Sequence, residues 1–386
     1  MEPTTVNTPP PPGNSDGDRF ITLRPPRPDD LDALTRMFTD PVTVAWTLVS
    51  RPWDGADGYL DDVAADWRDG SPHWVVADGD DSPVGVVGLR RHDERSAGLR
   101  YLVAPWARGR GVALRACHAA AEFAFGALGV SRLTWEAIVG NHVARLVAHR
   151  LGFRFEGTRR AAAEQRGVPV DLWTGALLPG ELRDPSAPPP ADYPTARRRA
   201  AVLSRPQPSL PTEHPQLRLR PLRDDDVDLV AAACRDQESI RWTTLPQPYS
   251  RGMAVGFVHQ YAIGGWRRGD MAVFALADPA DKYCGAIDLR LSHPDPAISD
   301  IGFNTAPWAR GRGFMTAAVE AVCRFGFREL GFTRIEWKAY VGNVASRRVA
   351  QKAGFTMEGT VHSESIQRGR RMDCWIGAKV NTDDED

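Results

Sequence analysis

Two stretches of the 386-residue chain carry the same eight residues, Ala104-Pro105-Trp106-Ala107-Arg108-Gly109-Arg110-Gly111 and Ala306-Pro307-Trp308-Ala309-Arg310-Gly311-Arg312-Gly313. Each alternates Arg and Gly between a predicted strand and a predicted helix. The first N–H groups of a helix have no intrahelical partner. Glycine lets the backbone turn with positive φ and come close to a ligand. Amides converging at a helix start, helped by the helix dipole, make a pyrophosphate site. Arginine forks add donors suited to phosphate. The loop has neither the Lys-Ser/Thr of a P-loop nor the GxGxxG of a dinucleotide fold.

The repeat extends well beyond the loop. Gly140-Asn141 returns as Gly342-Asn343, Gly152-Phe153 as Gly354-Phe355, and Glu156-Gly157-Thr158 as Glu358-Gly359-Thr360, all in one register. Asp171 and Trp173 return as Asp373 and Trp375. A repeat this long is a tandem of whole domains, not a solenoid, whose units run to roughly 20–50 residues. Each copy opens on a short strand that ends at proline (Phe20 to Pro25; Leu217 to Pro221). A helix follows the acids Asp29-Asp30 or Asp225-Asp226, with Leu31, Leu34 and Phe38, or Val227, Val230 and Cys234, at helical spacing. Three apolar runs then predict an antiparallel meander: His73 to Ala77, Val84 to Leu89 and Leu99 to Val103 in copy one, and 272–276, 285–289 and 300–304 in copy two. After the loop come a helix (Ala113 to Leu128; Met315 to Leu330), a strand (Arg132 to Val139; Arg334 to Val341), a helix ending in Gly-Phe, and final strands. The fold class expected is α+β, two tandem domains each with a mixed, mostly antiparallel sheet flanked by helices.

The expected organisation is a disordered arm over 1–18, domains over 19–178 and 215–380, an extended Pro-rich linker over 179–214 and an acidic tail over 381–386. A formal net charge of −1 gives no electrostatic case for nucleic acid or an anionic membrane. Five cysteines form no CxxC pair and occupy no equivalent positions in the copies, which reads as scattered buried thiols and neither a metal nor a disulfide framework. The start lacks a secretory signal, and no stretch approaches a membrane span, so a cytoplasmic protein is expected.

Arg108-x-x-Gly111-x-Ala113 resembles the Arg/Gln-x-x-Gly-x-Gly/Ala signature of the GNAT N-acetyltransferase superfamily, and Arg310-x-x-Gly313-x-Met315 departs from it only in its last residue. The Asn and Gly-Phe blocks downstream agree. The Pro-Trp lead-in and the Glu-Gly-Thr block look like the branch that acetylates ribosomal-protein N-termini. The resemblance implies acetyl-CoA as cosubstrate, no metal, and an amine acceptor, either a protein N-terminus or a small molecule. It implies cofactor contacts from Phe303, Asn304, Thr305, Arg310, Gly311, Arg312, Gly313, Phe314 and Met315. In the first copy the corresponding contacts are Leu102, Val103, Arg108, Gly109, Arg110, Gly111, Val112, Ala113 and Asn141. Paired domains or a homodimer are further implications.

The family's catalytic acid lies at a Ser three residues, or a Tyr seven residues, beyond the motif Asn. Beyond Asn343 these are Ser346 and Ala350; beyond Asn141 they are Ala144 and Ala148. Asp300-Ile301-Gly302 resembles the family's Glu-Ile-Gly, whereas copy one reads Gly98-Leu99-Arg100. Catalysis is therefore expected in the C-terminal domain, with Ser346 as general acid, directly or through water, Asp300 as amine-binding residue or base, and Asn343 beside them. Glu336 is a second base candidate, and Glu136 and His149 are substitutes in copy one. Trp46, Trp53, Trp67, Trp242, Tyr261 and Trp266 lie where the family walls its acceptor site. A non-catalytic acyl-CoA-binding scaffold and two active domains with different acceptors stay open as readings.

Overall fold

In the computed structural model, residues 6–7, 20–48 and 59–381 are described. The chain divides into two compact units, Met1–Tyr193 and Pro194–Asp386. Unit one runs β1 (Val6–Asn7), β2 (Thr22–Arg24), α1 (Leu31–Thr39), α2 (Pro41–Trp46), α3 (Tyr59–Arg68), β3 (His73–Ala77), β4 (Pro83–Arg91) and β5 (Ser96–Val103). It continues with α4 (Val112–Gly126), β6 (Arg132–Ile138), α5 (His142–Leu151), β7 (Arg154–Gln165) and β8 (Val168–Leu177). Unit two runs α6 (Tyr193–Leu203), β9 (Leu210–Pro211), β10 (Arg218–Pro221), α7 (Val227–Cys234), α8 (Gln237–Trp242), α9 (Arg251–Gly256), α10 (Gly264–Arg268), β11 (Met271–Ala277) and β12 (Tyr283–Arg290). After β13 (Ile298–Thr305) come α11 (Phe314–Arg328), β14 (Arg334–Tyr340), α12 (Val344–Lys352), β15 (Thr356–Gln367) and β16 (Arg370–Val380).

The sheet orders are β1-β2-β3-β4-β5-β6-β8-β7 and β15-β16-β14-β13-β12-β11-β10-β9, so the second is the first repeated. All neighbours are antiparallel except β5 with β6 and β13 with β14. Helices cover both faces. In β11, Ala272, Phe274 and Leu276 join the core beneath α11, while Met271, Val273 and Ala275 join a separate core beneath α7 and α9. That double burial explains why the strand reads as a continuous apolar run, without alternation. All five cysteines are buried and free.

Two of the expected boundaries differ from what is found. The stretch 179–214, expected as an extended linker, contains α6, whose Ala200 and Leu203 are buried, and β9, which pairs with β10 as the sheet's edge strand. Pro194 lies in the helix's first turn, where it removes no intrahelical bond, and Pro206, Pro208 and Pro211 follow the helix, so the local proline density concealed it. Of the N-terminal arm, β1 pairs with Thr22 and Leu23, and the rest of 1–18, like the tail beyond Asn381 and Trp53, lies outside the described residues.

One buried clamp occurs in each unit. Arg220 grips Asp226 with two parallel bonds of 2.7 Å and reaches Asp281 from its Nε at 2.8 Å. Arg24 does the same with Asp30, at 2.7 and 2.8 Å, and with Asp81 at 2.6 Å. The acids expected at the helix start thus split their work, since Asp30 and Asp226 turn inward and lock the first strand to the first helix. Removing one partner of such a pair leaves a buried charge uncompensated, which costs about 3–5 kcal/mol. Asp226→Ala is expected to lower the C-terminal unit's unfolding free energy by that amount in urea denaturation, and Asp225→Ala, at an exposed neighbour, by under about 1 kcal/mol.

Candidate functional site

The middle of each sheet is open. β13 pairs with β14 only from Ile298 to Ile301, opposite Arg334 to Trp337, although β12 flanks β13 as far as Thr305 and β16 flanks β14 as far as Tyr340. Phe303, Asn304 and Thr305 therefore present backbone groups to a gap inside the sheet. Unit one parts in the same way after Leu99 and Trp135, beside Leu102 and Val103. Backbone polar groups at such a place need a partner, and an extended ligand can supply one by pairing as a strand does. The glycine opposite each parting is needed for closeness. A Cβ on Gly285 would lie 2.5 Å from the Asn304 carbonyl oxygen, and one on Gly85 would lie 2.6 Å from that of Leu102.

Each gap runs up to the glycine loop. Gly311 and Gly313 have φ of 76° and 77°, Gly109 and Gly111 of 81° and 72°, and the last glycine in each loop is the helix N-cap with no side-chain acceptor. Around Gly109, Gly111 and Gly311 a Cβ would meet nothing within 4 Å, so the loop is open above the helix start. The arginines divide their roles. Arg310 is tied through Nη2 to Asp236 and, at 3.2 Å, to the Ser239 hydroxyl. Arg108 is tied to Asp40 at 2.5 Å and to Thr43 at 3.0 Å. These carboxylates cap α8 and α2, and the guanidinium holds each below the ordinary aspartate range. The first arginine is a tether between loop and helix, a job that phosphate-fork chemistry did not suggest. Arg312 lies over the Phe314 ring, 4.2 Å from its centre. Phe314 and Val112 are buried, so their amides, not their side chains, face the loop. Met315, only 5% exposed, packs into the core beneath α11, and Ala113 at the same point is half-buried.

Across the gap, Asn343 and Asn141 are the N-caps of α12 and α5, accepting from the Ser346 and Ala144 amides at 3.1 Å. The Ser346 hydroxyl accepts the indole N–H of Trp337 at 3.1 Å. Its own proton is thereby left for another acceptor. In unit one Trp135 stands where Trp337 does, but Ala144 offers no hydroxyl. Asn343 is thus a positioning residue for Ser346.

Asp300 is half-buried on β13, directly across from Arg290. A further acid was not anticipated. Asp288, on β12 opposite Gly302, has a side chain 15% exposed and an Oδ1 with no hydrogen bond, its nearest cation being Arg290 Nε at 3.6 Å. Burial pushes its carboxyl up to about 6, with Asp300 adding to the rise and Arg290 opposing it. Gly302 makes the room, since a Cβ there would lie 2.8 Å from Asp288 Oδ2. The signal in sequence was a lone acid inside an otherwise apolar strand, Gly285-Ala286-Ile287-Asp288-Leu289. The remaining candidates are engaged elsewhere: Glu336 with Arg334 at 2.7 Å, Glu136 with Arg159, and His149 with Asp192 at 3.1 Å. Of the aromatics, Trp67 and Trp266 are core, and Trp46, Trp242 and Tyr261 are half-buried. Tyr261 sits in a π-helical turn, Phe257–Ile263, within reach of Arg290.

A family model described as "Acetyltransferase (GNAT) domain" matches residues 21–154 and again 216–356. The chain is 29% identical over 171 residues to "Putative ribosomal N-acetyltransferase YdaF" of Bacillus subtilis, covering 42% of this chain and 92% of that one. It is 26% identical over 162 residues to "Uncharacterized N-acetyltransferase YoaA" of the same organism, covering 42% and 91%. Among solved structures it is similar to RimL, a ribosomal L7/L12 alpha-N-protein acetyltransferase in complex with coenzyme A, at 21% identity and TM-score 0.41, over 45% of this chain and 98% of that one. Each of these relatives spans roughly half of this chain.

The raised Asp288 carboxyl has a consequence for stability. Its folded pKa lies above the unfolded value, so the fold favours the protonated form, and ionisation costs nothing below about pH 4 and its full amount above about pH 6. Asp288→Asn mimics the protonated form. It is expected to match the native protein in stability near pH 4 and to exceed it by up to about 3 kcal/mol at pH 7, as read by urea midpoints across that range.

Proposed function

The chain belongs to the GNAT acetyltransferase family and is an acyltransferase, and from that premise we propose that its C-terminal unit transfers acetyl from acetyl-CoA to a primary amine. The observation that carries this reading is the Trp337–Ser346 hydrogen bond, which orients a hydroxyl with a free proton in that unit alone. Three features support a CoA thioester as donor: the parted strands, the uncapped helix start and the open glycines. The backbone of Phe303 to Thr305 would hold the cofactor's amide-bearing arm. The amides from Arg312 to Met315, with the Arg312 guanidinium, would hold its pyrophosphate. Bound there, acetyl-CoA supplies a carbonyl activated by a thiol leaving group.

Asp300 and Asp288 face the incoming nitrogen. With a carboxyl near 6, Asp288 is ionised at neutral pH yet basic enough to take a proton from an ammonium in a half-enclosed site. Asp300 holds the resulting positive charge near the reaction centre. Ser346 donates to the departing sulfur, and Trp337 keeps its hydroxyl aimed there. The acceptor class favoured is the N-terminus of a protein, supported by the ribosomal naming of YdaF and by the two acids on the floor, which suit an α-ammonium. The N-terminal unit keeps the loop and the gap but has Ala144, Gly98 and Gly88 in place of Ser346, Asp300 and Asp288. On this reading it binds cofactor without transferring acetyl.

Ser346→Ala is expected to lower kcat by about 10²-fold, within the range of general acid catalysis, while calorimetric acetyl-CoA affinity stays within twofold. Unchanged kcat would take Ser346 out of the mechanism. Binding of acetyl-CoA with no acetylation of any peptide or small amine would favour the scaffold reading.

A further inference from the structure

The same cavity in the N-terminal unit has been rebuilt with the opposite charge. The two sheets place equivalent residues by register: Gly88 lies across from Arg100 where Asp288 lies across from Gly302, and Arg90 across from Gly98 where Arg290 lies across from Asp300. Two aspartates have gone from the floor and one arginine has been added. The gap of unit one is a cavity of about 370 Å³, reaching from Phe38, Trp46 and Tyr59 on the helical side to Asn141 and Ala144 beneath α5.

Three observations describe what this cavity would accept. Among the described residues, Arg100 makes no ion pair, while the one carboxylate lining the cavity, Glu136, is paired with Arg159. His73, whose Nδ1 is 3.3 Å from Asp66, stands over Gly88, where a Cβ would lie 2.2 Å from its Cδ2. Burial above all holds this imidazole below its ordinary value, with Asp66 opposing the shift and Arg100 adding a smaller push in the same direction as burial. Tyr101, in the place of Phe303, turns its hydroxyl away from the cavity into the interior near Cys117. A guanidinium without an ion pair, on an exposed residue, and apolar walls share one cavity, where the floor of unit two carries Asp288 and Asp300.

We propose that the cavity of the N-terminal unit is a binding site for a carboxylate, held by Arg100. The planar fork of arginine matches a carboxylate bidentately. The carboxylate belongs either to a free small acid or to the far end of an acyl chain carried on CoA, because the cavity reaches Leu102 and Asn141 at the parting of the strands. Either ligand makes this unit a sensing or loading site, not a second copy of the amine site.

The test is calorimetric titration of the full chain with glutarate, succinyl-CoA, acetyl-CoA and inorganic phosphate, in native protein and in Arg100→Gln. Arg100 is exposed, so this variant should fold as the native protein does. Glutarate binding that weakens at least tenfold in Arg100→Gln assigns the site to a free acid. If instead one class of succinyl-CoA sites is at least tenfold tighter than for acetyl-CoA, and that preference disappears in Arg100→Gln, the carboxylate belongs to the acyl chain. No binding of either carboxylate, binding indifferent to Arg100, or binding of phosphate alone would overturn the proposal. Acetyl transfer by the C-terminal unit does not enter these readouts, so failure here leaves that reading standing.

Discussion

Everything chemical in this chain depends on a sheet that is not closed at its centre. Two parallel strands pair for four residues and then separate, although each keeps its outer neighbour. A central strand normally satisfies its backbone on both sides, and unpaired groups in the interior carry a cost of the order of a lost hydrogen bond each. The structure tolerates this because the groups line an open gap that water can enter. On the proposed reading the same groups become the recognition surface for an extended ligand. The loop, the helix start and the acceptor floor acquire meaning from where that gap leads.

The internal repeat separates residues that hold the gap from residues that use it. The Arg–Asp–Asp clamp, the arginine tether to a capping aspartate, the glycine beside the parting and the asparagine N-cap occur in both units with nearly the same distances. The floor does not repeat: Asp288, Asp300 and Gly302 in one unit are Gly88, Gly98 and Arg100 in the other. Side chains reaching into an open gap contribute little to packing, so they can change sign of charge without disturbing the scaffold. The glycines move with them. Gly302 gives way to Asp288, and Gly88 gives way to His73, each leaving room for the one large side chain across the strand pair.

Much of this was legible in sequence, for reasons that differ by element. The helices after the loops and the strands around Val75, Val87, Ile287 and Trp337 were visible because apolar periodicity and glycine punctuation agree there. The loop was visible because positive φ at an N-cap nearly demands glycine. Helix α6 was hidden by prolines at its flanks, which are compatible with a helix but dominate local composition. The tether role of Arg310 was hidden because Asp236 lies far away in sequence, and the phosphate reading needed no partner for it. Asp288 was hidden for a similar reason. Its raised carboxyl depends on Gly302 and Arg290 across a strand pair, and no pattern within one strand reports that.

The distinction between the two units comes down to a few atoms on a shared frame. Asn343 spends its carbonyl on the amide of Ser346, which fixes where α12 begins and therefore where the hydroxyl lies. Trp337, buried on β14, can reach that hydroxyl with its only polar atom, and a donor-only indole forces the serine into the acceptor role. The proton that remains is directed by elimination. In unit one the cap and the indole ring are both retained, but Ala144 breaks the chain at its last link. On the proposed reading, a frame that positions a proton donor in one unit is thus present in a unit that carries alanine in the donor's place. That is what is expected if the frame's principal work is to hold the gap open, with catalysis added by the residues that project into it.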